Sequence, residues 1–482
     1  MTVQIAIKPY SAMKDSGVPW LGKVPEHWEL PRLGAVLRER GETNGDGCVT
    51  DVLSVMRHRG VIPYADKGNV GNKKSEDITR YKIVRPDDIV VNCMNVIIGS
   101  VGLSRYTGCL SPVYYVLTRR SGADNPRYLN AVFQTDPFQK SLVRIGNGIL
   151  AHRMRIPMEL LKCEPFPKPP REEQDAIVRF LDHANRRIER YIRAKRKLIA
   201  LLNEQKQAII HRAVTHGLDP NVRFKSSGMP WLGEVPEHWK ALQLRRMVSL
   251  VTSGSRGWAK YYSDTGNIFL QSGNLGRSMS LNLSFIQHVK PPLGSEGVRT
   301  RVERDDVLVC VTGALTGNVA LVNLDLSVPA YVNQHVALVR PKSAMVFSRY
   351  LAFALHSEVG RAQFKTSEYG GTKQGLGLND VKSVILPFPP PPEQYSICSE
   401  LDRKLANFNE SITRTDREIA LMREYRTRLV AAVATGHLDV REAAAKLPEE
   451  TREEEVGLLE ESTGDEDEPI EFEDIAGSGT IE

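Results

Sequence analysis

The chain has 482 residues, of which 41% are hydrophobic and 25% are charged, an ordinary composition for a soluble globular protein of two or three domains. No apolar run approaches the roughly eighteen residues that cross a bilayer, and the N-terminus lacks the apolar core of a signal peptide, so we expect a cytoplasmic protein. The net charge of +6 combines a tail, residues 448–482, of charge −14 with a body of charge +20, and a body this basic favours a polyanionic partner such as nucleic acid.

The first clear signal along the chain is the opening of an internal repeat. Residues 16–28 read SGVPWLGKVPEHW and residues 227–239 read SGMPWLGEVPEHW, identical at eleven of thirteen positions and 211 residues apart. So long a period indicates two homologous domains and excludes a solenoid. The paired tryptophans are predicted to be core anchors. His27 and His238 are predicted to be structural, because no ligand partner lies at metal-binding spacing.

Each copy continues with short β-rich runs, near residues 50–120 and 265–340. The runs DIVVNCM, VYYVLT, VLVCVT and HVALVR are broken by Gly, Asn, Asp and Pro, which is typical of a twisted, largely antiparallel sheet. Asp87-Asp88 and Asp305-Asp306 precede two of these strands and are predicted to form turns. One helix per copy is then predicted, over RYLNAVFQTDPFQKSL and RYLAFALHSEVGRAQF, before a proline-rich junction.

A long helix without Gly or Pro follows the first junction, over residues 172–214. Its apolar residues, Tyr191 among them, fall at alternating steps of four and three, and the second copy repeats this spacing, which is typical of a coiled coil. Lys195 and Gln205 interrupt the first stripe. Because neither stripe can be buried on its own helix, the two helices are predicted to pack together. The residues assigned to this coiled-coil or partner interface are Ile177, Leu181, Ile188, Leu198, Leu202, Ile209, Ile397, Leu401, Phe408, Ile412, Ile419, Met422 and Leu429.

These features together resemble the specificity subunits of type I restriction-modification enzymes. The likeness covers residues 16–440 and rests on the PWLGxVPEHW opening, the P-P-x-x-E-Q-x-x-I junction and the long helix, all doubled and in order. In the first junction the motif falls on Pro169, Pro170, Glu173, Gln174 and Ile177. The second junction is two residues tighter, with Pro391, Pro392, Glu393, Gln394 and Ile397.

The resemblance implies an α+β fold of two tandem target recognition domains, each a twisted β-sheet with flanking helices. Two long helices separate them and form an antiparallel coiled coil with pseudo-two-fold symmetry. The predicted segments are a first recognition domain (1–171), a first long helix (172–216), a second recognition domain (217–391), a second long helix (392–438) and an acidic, disordered tail (439–482).

The resemblance also implies a function in bacterial defence. Each recognition domain would read one half of a bipartite double-stranded DNA target, while the coiled coil would space the halves and dock two methylation subunits. Those subunits would bring S-adenosylmethionine to modify adenine, and restriction subunits would cleave unmodified DNA using ATP and Mg. The chain itself would be non-catalytic and bind no cofactor. The alternative is a coiled-coil protein-interaction adaptor, which would explain the helices but not the doubled junctions.

No motif of an enzyme of this class contradicts that expectation. The adenine-holding [ND]-P-P-[FYW] motif is absent, since Asp136-Pro137-Phe138 lacks the second proline, and the run from Gly68 to Ser75 misplaces the second Gly of a phosphate-binding loop. The six cysteines are scattered singly, without zinc or disulfide spacing. We therefore predict neither a catalytic residue nor a metal site.

Arg, Lys, Asn and Gln on exposed loops are the residue types that contact duplex DNA. In the first domain the candidates are Arg57, His58, Arg59, Lys73, Lys74, Arg144, Asn147, Arg153 and Arg155. In the second they are Arg256, Lys260, Arg277, Gly371, Thr372, Lys373 and Gln374. The two loops before the junctions, 144–155 and 369–378, occupy equivalent positions. We expect replacement of both Lys373 and Gln374 by Ala to weaken one half-site only.

The acidic tail carries fifteen Asp or Glu and one basic residue, Arg452, over residues 448–482, and its composition favours disorder. Two roles remain open for it: a DNA mimic that screens the basic body, or a solubilising segment.

Overall fold

The computed structural model describes residues 7–57, 59–68, 73–148, 154–229, 231–276, 278–292, 294–367 and 375–448. The chain divides into two compact units, one of Met1–Ile192 with Ala420–Glu482 and the other of Arg193–Ile419. The division passes through both long helices, so each unit contains one globular domain and a part of each helix. The α+β fold with two sheet domains and two long helices confirms the predicted fold class.

The first copy of the repeat begins with short strands and ends in the first long helix. Its strands are β1 (Met13–Asp15), β2 (Lys23–Pro25), β3 (Leu37–Glu39), β4 (Leu53–Met56), β5 (Gly60–Pro63), β6 (Lys82–Val84), β7 (Ile89–Asn92), β8 (Val101–Leu103), β9 (Gly108–Leu110) and β10 (Tyr114–Arg119). Its helices are α1 (Leu33–Val36), α2 (Pro126–Phe133), α3 (Asp136–Ser141), α4 (Met158–Leu161) and α5 (Arg171–His216).

The second copy has a similar element order. Its strands are β11 (Phe224–Ser226), β12 (Glu234–Pro236), β13 (Lys240–Gln243), β14 (Val248–Ser253), β15 (Tyr262–Ser263), β16 (Asn267–Leu270), β17 (Gln287–Val289), β18 (Arg301–Val302), β19 (Val307–Cys310), β20 (Val319–Leu321), β21 (Ala330–Val332), β22 (Val336–Pro341) and β23 (Ile385–Phe388). Its helices are α6 (Leu244–Met247), α7 (Ser295–Thr300), α8 (Ser348–His356), α9 (Glu358–Ser367), α10 (Leu378–Ser383), α11 (Pro391–Ala434) and α12 (Arg441–Ala445).

Each domain is built around an antiparallel four-stranded sheet, in the order β3-β10-β7-β8 in the first unit and β14-β22-β19-β20 in the second. Both faces of this sheet are covered. In β7, Ile89 and Val91 join the core formed with the helices, while Val90 joins a separate cluster on the other face. Successive strand residues point to opposite faces, and both faces are buried here, which is why the run Ile89-Val90-Val91 is apolar throughout.

The second layer of strands differs between the copies. In the first unit it consists of two pairs, β4 with β5 and β6 with β9, whereas in the second it is a five-stranded sheet in the order β15-β17-β16-β21-β18. In that sheet β16 and β21 are parallel. The copies therefore share one sheet and diverge in the other.

The predicted aspartate turns are confirmed. Asp87 and Asp305 have φ of 70° and 69°, in the left-handed region where Asp is one of the tolerated residues. The following aspartates are buried and ion-paired: the Asp88 carboxylate accepts two hydrogen bonds of 2.9 Å from Arg40, and Asp306 accepts bonds of 2.8 and 2.9 Å from Arg340.

The prediction of one helix per copy after the sheet is wrong, because each copy has two. In the first copy Pro137 lies at the start of α3, and a proline cannot continue the preceding helix. In the second copy no proline lies between the start of α8 and the end of α9. The break falls at Ser357, and a Cβ at Gly360 would come within 2.2 Å of the Leu355 carbonyl oxygen, so the turn between α8 and α9 needs glycine there.

One buried carboxylate connects the first junction to the first repeat opening. The buried carboxylate of Glu173, from the first junction, accepts hydrogen bonds from the Tyr10 hydroxyl and from Trp28 Nε1 at 2.9 Å, and lies 2.8 Å from His27 Nε2. Burial and the bond to Glu173 raise the pKa of Tyr10, so its hydroxyl remains a donor. The junction is thereby fastened to the repeat opening.

The second copy repeats this arrangement with fewer partners. Glu393 lies 2.8 Å from His238 Nε2 and accepts a 3.0 Å bond from Trp239 Nε1. The neighbouring Gln394 accepts a 2.8 Å bond from the Phe347 backbone N–H, as Gln174 does from Asn125 in the first copy. His27, His238, Trp28 and Trp239 are structural, as predicted. Trp231 is 44% exposed, so its prediction as a core anchor is wrong.

The first unit is completed by the last turn of the second copy's helix. The Tyr128 hydroxyl donates to the carbonyl oxygens of Pro167 and Ala434, both at 3.1 Å. Gly436, with φ of 79°, sits where a Cβ would come within 2.5 Å of Pro25 and 3.0 Å of Trp28. The backbone at Gly436 can lie this close to Pro25 and Trp28 only because glycine has no side chain.

The second unit is completed in the same way by the end of the first copy's helix. The Tyr350 hydroxyl donates to Pro387 at 2.9 Å and to Val214 at 3.4 Å. A Cβ at Gly217 would lie 3.2 Å from Trp239 and from Glu393. The repeated endings THGLD and TGHLD thus have the same role, because each ends a long helix that packs against the domain of the other copy.

Within each unit, α5 and α11 run antiparallel. In the first unit Ile177 and Leu181 share a core with Leu429 and Val433, and Arg426 lies 3.4 Å from Glu189. In the second unit Lys195 pairs with Glu418 at 2.8 Å, and Lys206 donates to Asn409 at 2.6 Å. Residue numbers rise on one helix as they fall on the other, as predicted for this coiled coil.

Most residues assigned to the helix interface are covered. Ile177, Leu181, Ile188, Ile397, Leu401, Ile419 and Leu429 are buried, and Leu202, Ile209, Phe408, Ile412 and Met422 are half-buried. The placement of Tyr191 and Leu198 in the apolar stripe is wrong, since they are 39% and 40% exposed. Ile192 is buried and Ile199 half-buried instead. The step after Ile188 is four residues, to Ile192, rather than the predicted three to Tyr191.

The prediction that the disordered tail begins at residue 439 is wrong. Lys8 pairs with Asp439 through the backbone, and Val440, Ala443 and Ala444 belong to the core of the first unit. These small apolar residues precede the acidic run, and they are enough to pack α12. Residues 449–482 lie outside the described ranges.

Candidate nucleic-acid interface

In the first domain, four of the predicted contact residues gather around the β4–β5 hairpin. Arg57 and Arg59 flank its turn, and Arg59 Nη1 donates to the Asp66 carbonyl at 3.1 Å. The backbone N–H of Lys74 donates to the Tyr64 hydroxyl at 2.9 Å, which draws Lys73 and Lys74 to the same place. All four basic side chains are exposed. The group suits contact with phosphate and base edges.

In the second domain, Arg256 and Lys260 lie on one loop after β14, and both are exposed. The loop is fixed by Trp258, which is buried between them and stacks on Phe269 with ring centroids 5.5 Å apart. Glu296 Oε1 accepts a 2.7 Å bond from Trp258 Nε1. Rigid anchoring of a basic loop presents its charges in a fixed geometry.

An acidic and a basic residue of α7 hold this loop further. Hydrogen bonds from Ser255 and Trp258 lower the pKa of Glu296, so it stays ionised as an acceptor. Arg299 donates to the Thr252 hydroxyl, to the Ser253 carbonyl at 3.1 Å and to Ser255 Oγ at 3.2 Å.

The loops before the two junctions are equivalently attached. The N–H of Ile156 bonds to the Cys93 carbonyl at 2.9 Å, and the N–H of Leu376 bonds to Val311 at 2.8 Å, each just beyond a central strand. Asn147 and Arg155 form the base of the first loop through two backbone bonds of 2.8 and 2.9 Å.

Arg144 is less available than the sequence suggested. Its guanidinium pairs with the buried carboxylate of Glu164 and donates to the Ser141 carbonyl at 3.2 Å. Part of its hydrogen-bonding capacity is therefore used inside the domain. The remaining candidates, His58, Arg153, Arg277, Gly371, Thr372, Lys373 and Gln374, lie outside the described residues.

Within the described ranges, no three His, Cys, Asp or Glu side chains are grouped so as to hold a metal ion. A search of those same ranges finds no helix both long enough and apolar enough to cross a membrane.

Comparison with known proteins bears directly on this arrangement. Residues 299–420, from α7 into α11, match the Type I restriction modification DNA specificity domain. The chain therefore contains a type I restriction modification DNA specificity domain. The Type I restriction enzyme MjaVIII specificity subunit of Methanocaldococcus jannaschii is similar to this chain, with 21% identity over 386 residues, covering 79% of this chain and 86% of that protein.

A second relative is the Type I restriction enzyme EcoBI specificity subunit of Escherichia coli, 21% identical over 407 residues, or 80% of each chain. A solved chain from work on complex assembly and conformational transition of the type I R-M system has a TM-score of 0.58 at 15% identity. The match covers 85% of this chain and 98% of that chain. The structural likeness extends the shared fold over both copies of the repeat.

Sequence reasoning missed the residues that position the candidate contacts. Trp258 is the one tryptophan outside the two repeat openings, and that isolation was an available signal. Lys67, whose Nζ lies 4.9 Å from the Tyr64 ring centroid, adds a cation to the group around the β4–β5 hairpin. No local sequence pattern pointed to Arg299 and Glu296 as residues that hold this loop, because their partners lie about forty residues away in sequence.

Proposed function

We propose that this chain is a type I restriction-modification specificity subunit that reads a bipartite double-stranded DNA target, with one recognition domain on each half. The observation that carries the proposal is the combination of a shared sheet and junction with a divergent second layer and its basic loops. A common scaffold with different loops suits two different base sequences. The charge of +20 on residues 1–447 supports a polyanionic ligand.

The long helices dock two methylation subunits in this proposal. We call the interface between α5 and α11 the seam. Five apolar side chains on these helices remain 39–57% exposed outside the seam. They are Tyr191, Leu421 and Tyr425 in the first unit, and Leu198 and Leu201 in the second. Exposed apolar groups of this kind favour a protein partner. The methylation subunits bring S-adenosylmethionine, and restriction subunits bring ATP and Mg. This chain supplies no catalytic group and binds no cofactor.

Methylation mapping tests the proposal. The full chain is combined with its methylation subunits and S-adenosylmethionine on a random DNA library, and the modified adenines are located by sequencing. We expect two short motifs separated by a fixed, unspecified gap. One contiguous motif would contradict reading by two domains. Stable assembly with partners but no sequence preference would favour a protein-interaction adaptor instead.

Paired variants assign each domain to its half-site. Replacing Arg57 and Arg59 by Ala is expected to relax one half of the motif, and replacing Arg256 and Lys260 by Ala the other half. Each lost base contact corresponds to about 1–3 kcal/mol, or roughly a 5- to 150-fold loss of discrimination. The two pairs are controls for each other, and equal weakening on every sequence would contradict their assignment to base reading.

A further inference from the structure

A basic stripe runs along α5 in the first unit, on the side away from the seam. We call Arg179, His183, Arg186 and Arg190 the α5 stripe. They follow one another at steps of four, three and four residues, and this spacing keeps side chains on one face of a helix. The seam lies on the opposite face of α5, since its residues fall about half a turn from these positions.

The surrounding helix reinforces the charge of the stripe. Residues 179–197 contain eight Arg or Lys and only two acidic residues, Asp182 and Glu189. Arg187 and Arg190 are exposed. Arginine is suited to carboxylates, because its planar guanidinium donates two parallel hydrogen bonds.

The last described residues of the chain, Leu447 and Pro448, contact this stripe. Arg179 Nη2 donates to the carbonyl oxygen of Leu447 at 2.6 Å and to that of Pro448 at 3.3 Å. The acidic segment, residues 449–482 with a net charge of −14, therefore begins at one end of the stripe. Arg190 lies about 16 Å from Arg179 along the helix, at 1.5 Å per residue. The residues that follow Pro448 are numerous enough to span this distance.

We propose that residues 449–482 bind the α5 stripe and compete there with DNA. The chain is anchored at Arg179, so its carboxylates are held at high local concentration beside arginines. The tail carries more negative charge than the stripe can neutralise, so it also repels other polyanions from this face. This regulation is separate from half-site reading, and its first test requires no DNA.

Zero-length crosslinking tests where the tail binds. A carbodiimide joins carboxylates to amines in contact, so Arg190→Lys places a reporter amine in the stripe of the full-length protein. The matched control is Arg417→Lys, at an exposed arginine of α11 in the second unit. We expect several times more links from tail carboxylates to position 190 than to position 417, and their loss in 1 M salt. Equal yields at the two positions would overturn the proposal.

Binding to a random-sequence duplex tests the competition. In a full-length variant, the fifteen tail carboxylates are changed to amides by Asp→Asn and Glu→Gln substitutions. We expect about tenfold tighter binding of the random duplex at low salt, and a smaller difference as salt rises. Unchanged affinity would overturn competition even where the wild type still yields a bipartite methylation motif. A wild type without any such motif would instead contradict the proposed function, and the crosslinking result would stand.

Discussion

The carboxylate of Glu173 connects three parts of the first unit, because Tyr10, Trp28 and His27 all contact it while it is only 4% exposed. Its counterpart in the second unit, Glu393, has two such partners and a side chain that is 29% exposed. Burial and the number of donors together decide how much each carboxylate contributes.

We predict that Glu173→Gln lowers the free energy of unfolding by about 2 kcal/mol, since a neutral amide oxygen accepts weaker hydrogen bonds than a carboxylate and cannot accept from all three donors. Glu393→Gln is the matched control and should produce a smaller loss, because Glu393 has two donors rather than three and its carboxylate is partly exposed to water. Urea denaturation followed by tryptophan fluorescence measures both. Equal losses would show that the third donor contributes nothing.

His356 is a buried histidine that stays neutral. Burial lowers its pKa to about 3, and the nearby Arg361 and Lys206 act in the same direction. Its Nε2 lies 2.9 Å from the Gln207 side-chain nitrogen. In the unfolded chain the same group titrates near its ordinary pKa of about 6.5.

Stability should therefore depend on pH through this residue. The unfolded chain takes up a proton below about pH 6.5 that the folded chain refuses, so the stabilisation is complete above that pH and is lost as pH falls towards 3. We predict that wild type loses up to about 3 kcal/mol more than His356→Gln between pH 7 and pH 4. Thermal melts across pH compare the two. Glutamine suits the position, since Gln134 occupies it in the first copy.

The helix seam contains a charged residue that the apolar pattern could not predict. Lys206 is 9% exposed and burial lowers its pKa, while its Nζ donates to the exposed Asn409 at 2.6 Å. An amine in such a place contributes less stability than an apolar side chain of similar volume.

We predict that Lys206→Leu raises the free energy of unfolding by about 1 kcal/mol, since Asn409 can bond to water once the amine is gone. Lys197→Leu, at an exposed position of the same helix, should leave stability unchanged. Differential scanning calorimetry of the two variants measures this. A lower melting temperature for Lys206→Leu would show that its bond to Asn409 fixes the helix register.

The sequence predicted both long helices and the repeated sheet because their signals are local. Apolar spacing identified Ile177 and Leu401 as seam residues, but a polar side chain such as Lys195 lies in the seam only because Glu418 is opposite, and no local pattern encodes that partner. The same holds for Tyr128, whose acceptor at Ala434 is 306 residues away. Local patterns fix elements, whereas contacts between the copies depend on the assembled fold.

The first unit depends on residues from the far end of the chain. Asp439 bonds to Lys8 through the backbone, and Val440, Ala443 and Ala444 fill the core that holds Trp28. A chain that ends at Leu438 would expose this part of the core to water.

We predict that truncation after Leu438 lowers the free energy of unfolding by about 3 kcal/mol, from the loss of three buried apolar side chains. Truncation after Pro448 is the control and should lower it much less, since every residue of that core is retained. Chemical denaturation of both proteins tests this. Equal stability of the two truncations would show that α12 does not contribute to the core.

The exchange of helix ends between the copies has a consequence for synthesis on the ribosome. Trp28 and the surface that receives Gly436 are made some four hundred residues before Gly436 itself. At about 5–20 residues per second, the first domain spends roughly twenty to eighty seconds with that surface uncovered. A nascent chain in this state is a natural client for chaperones, and slowing translation late in the message should increase its aggregation.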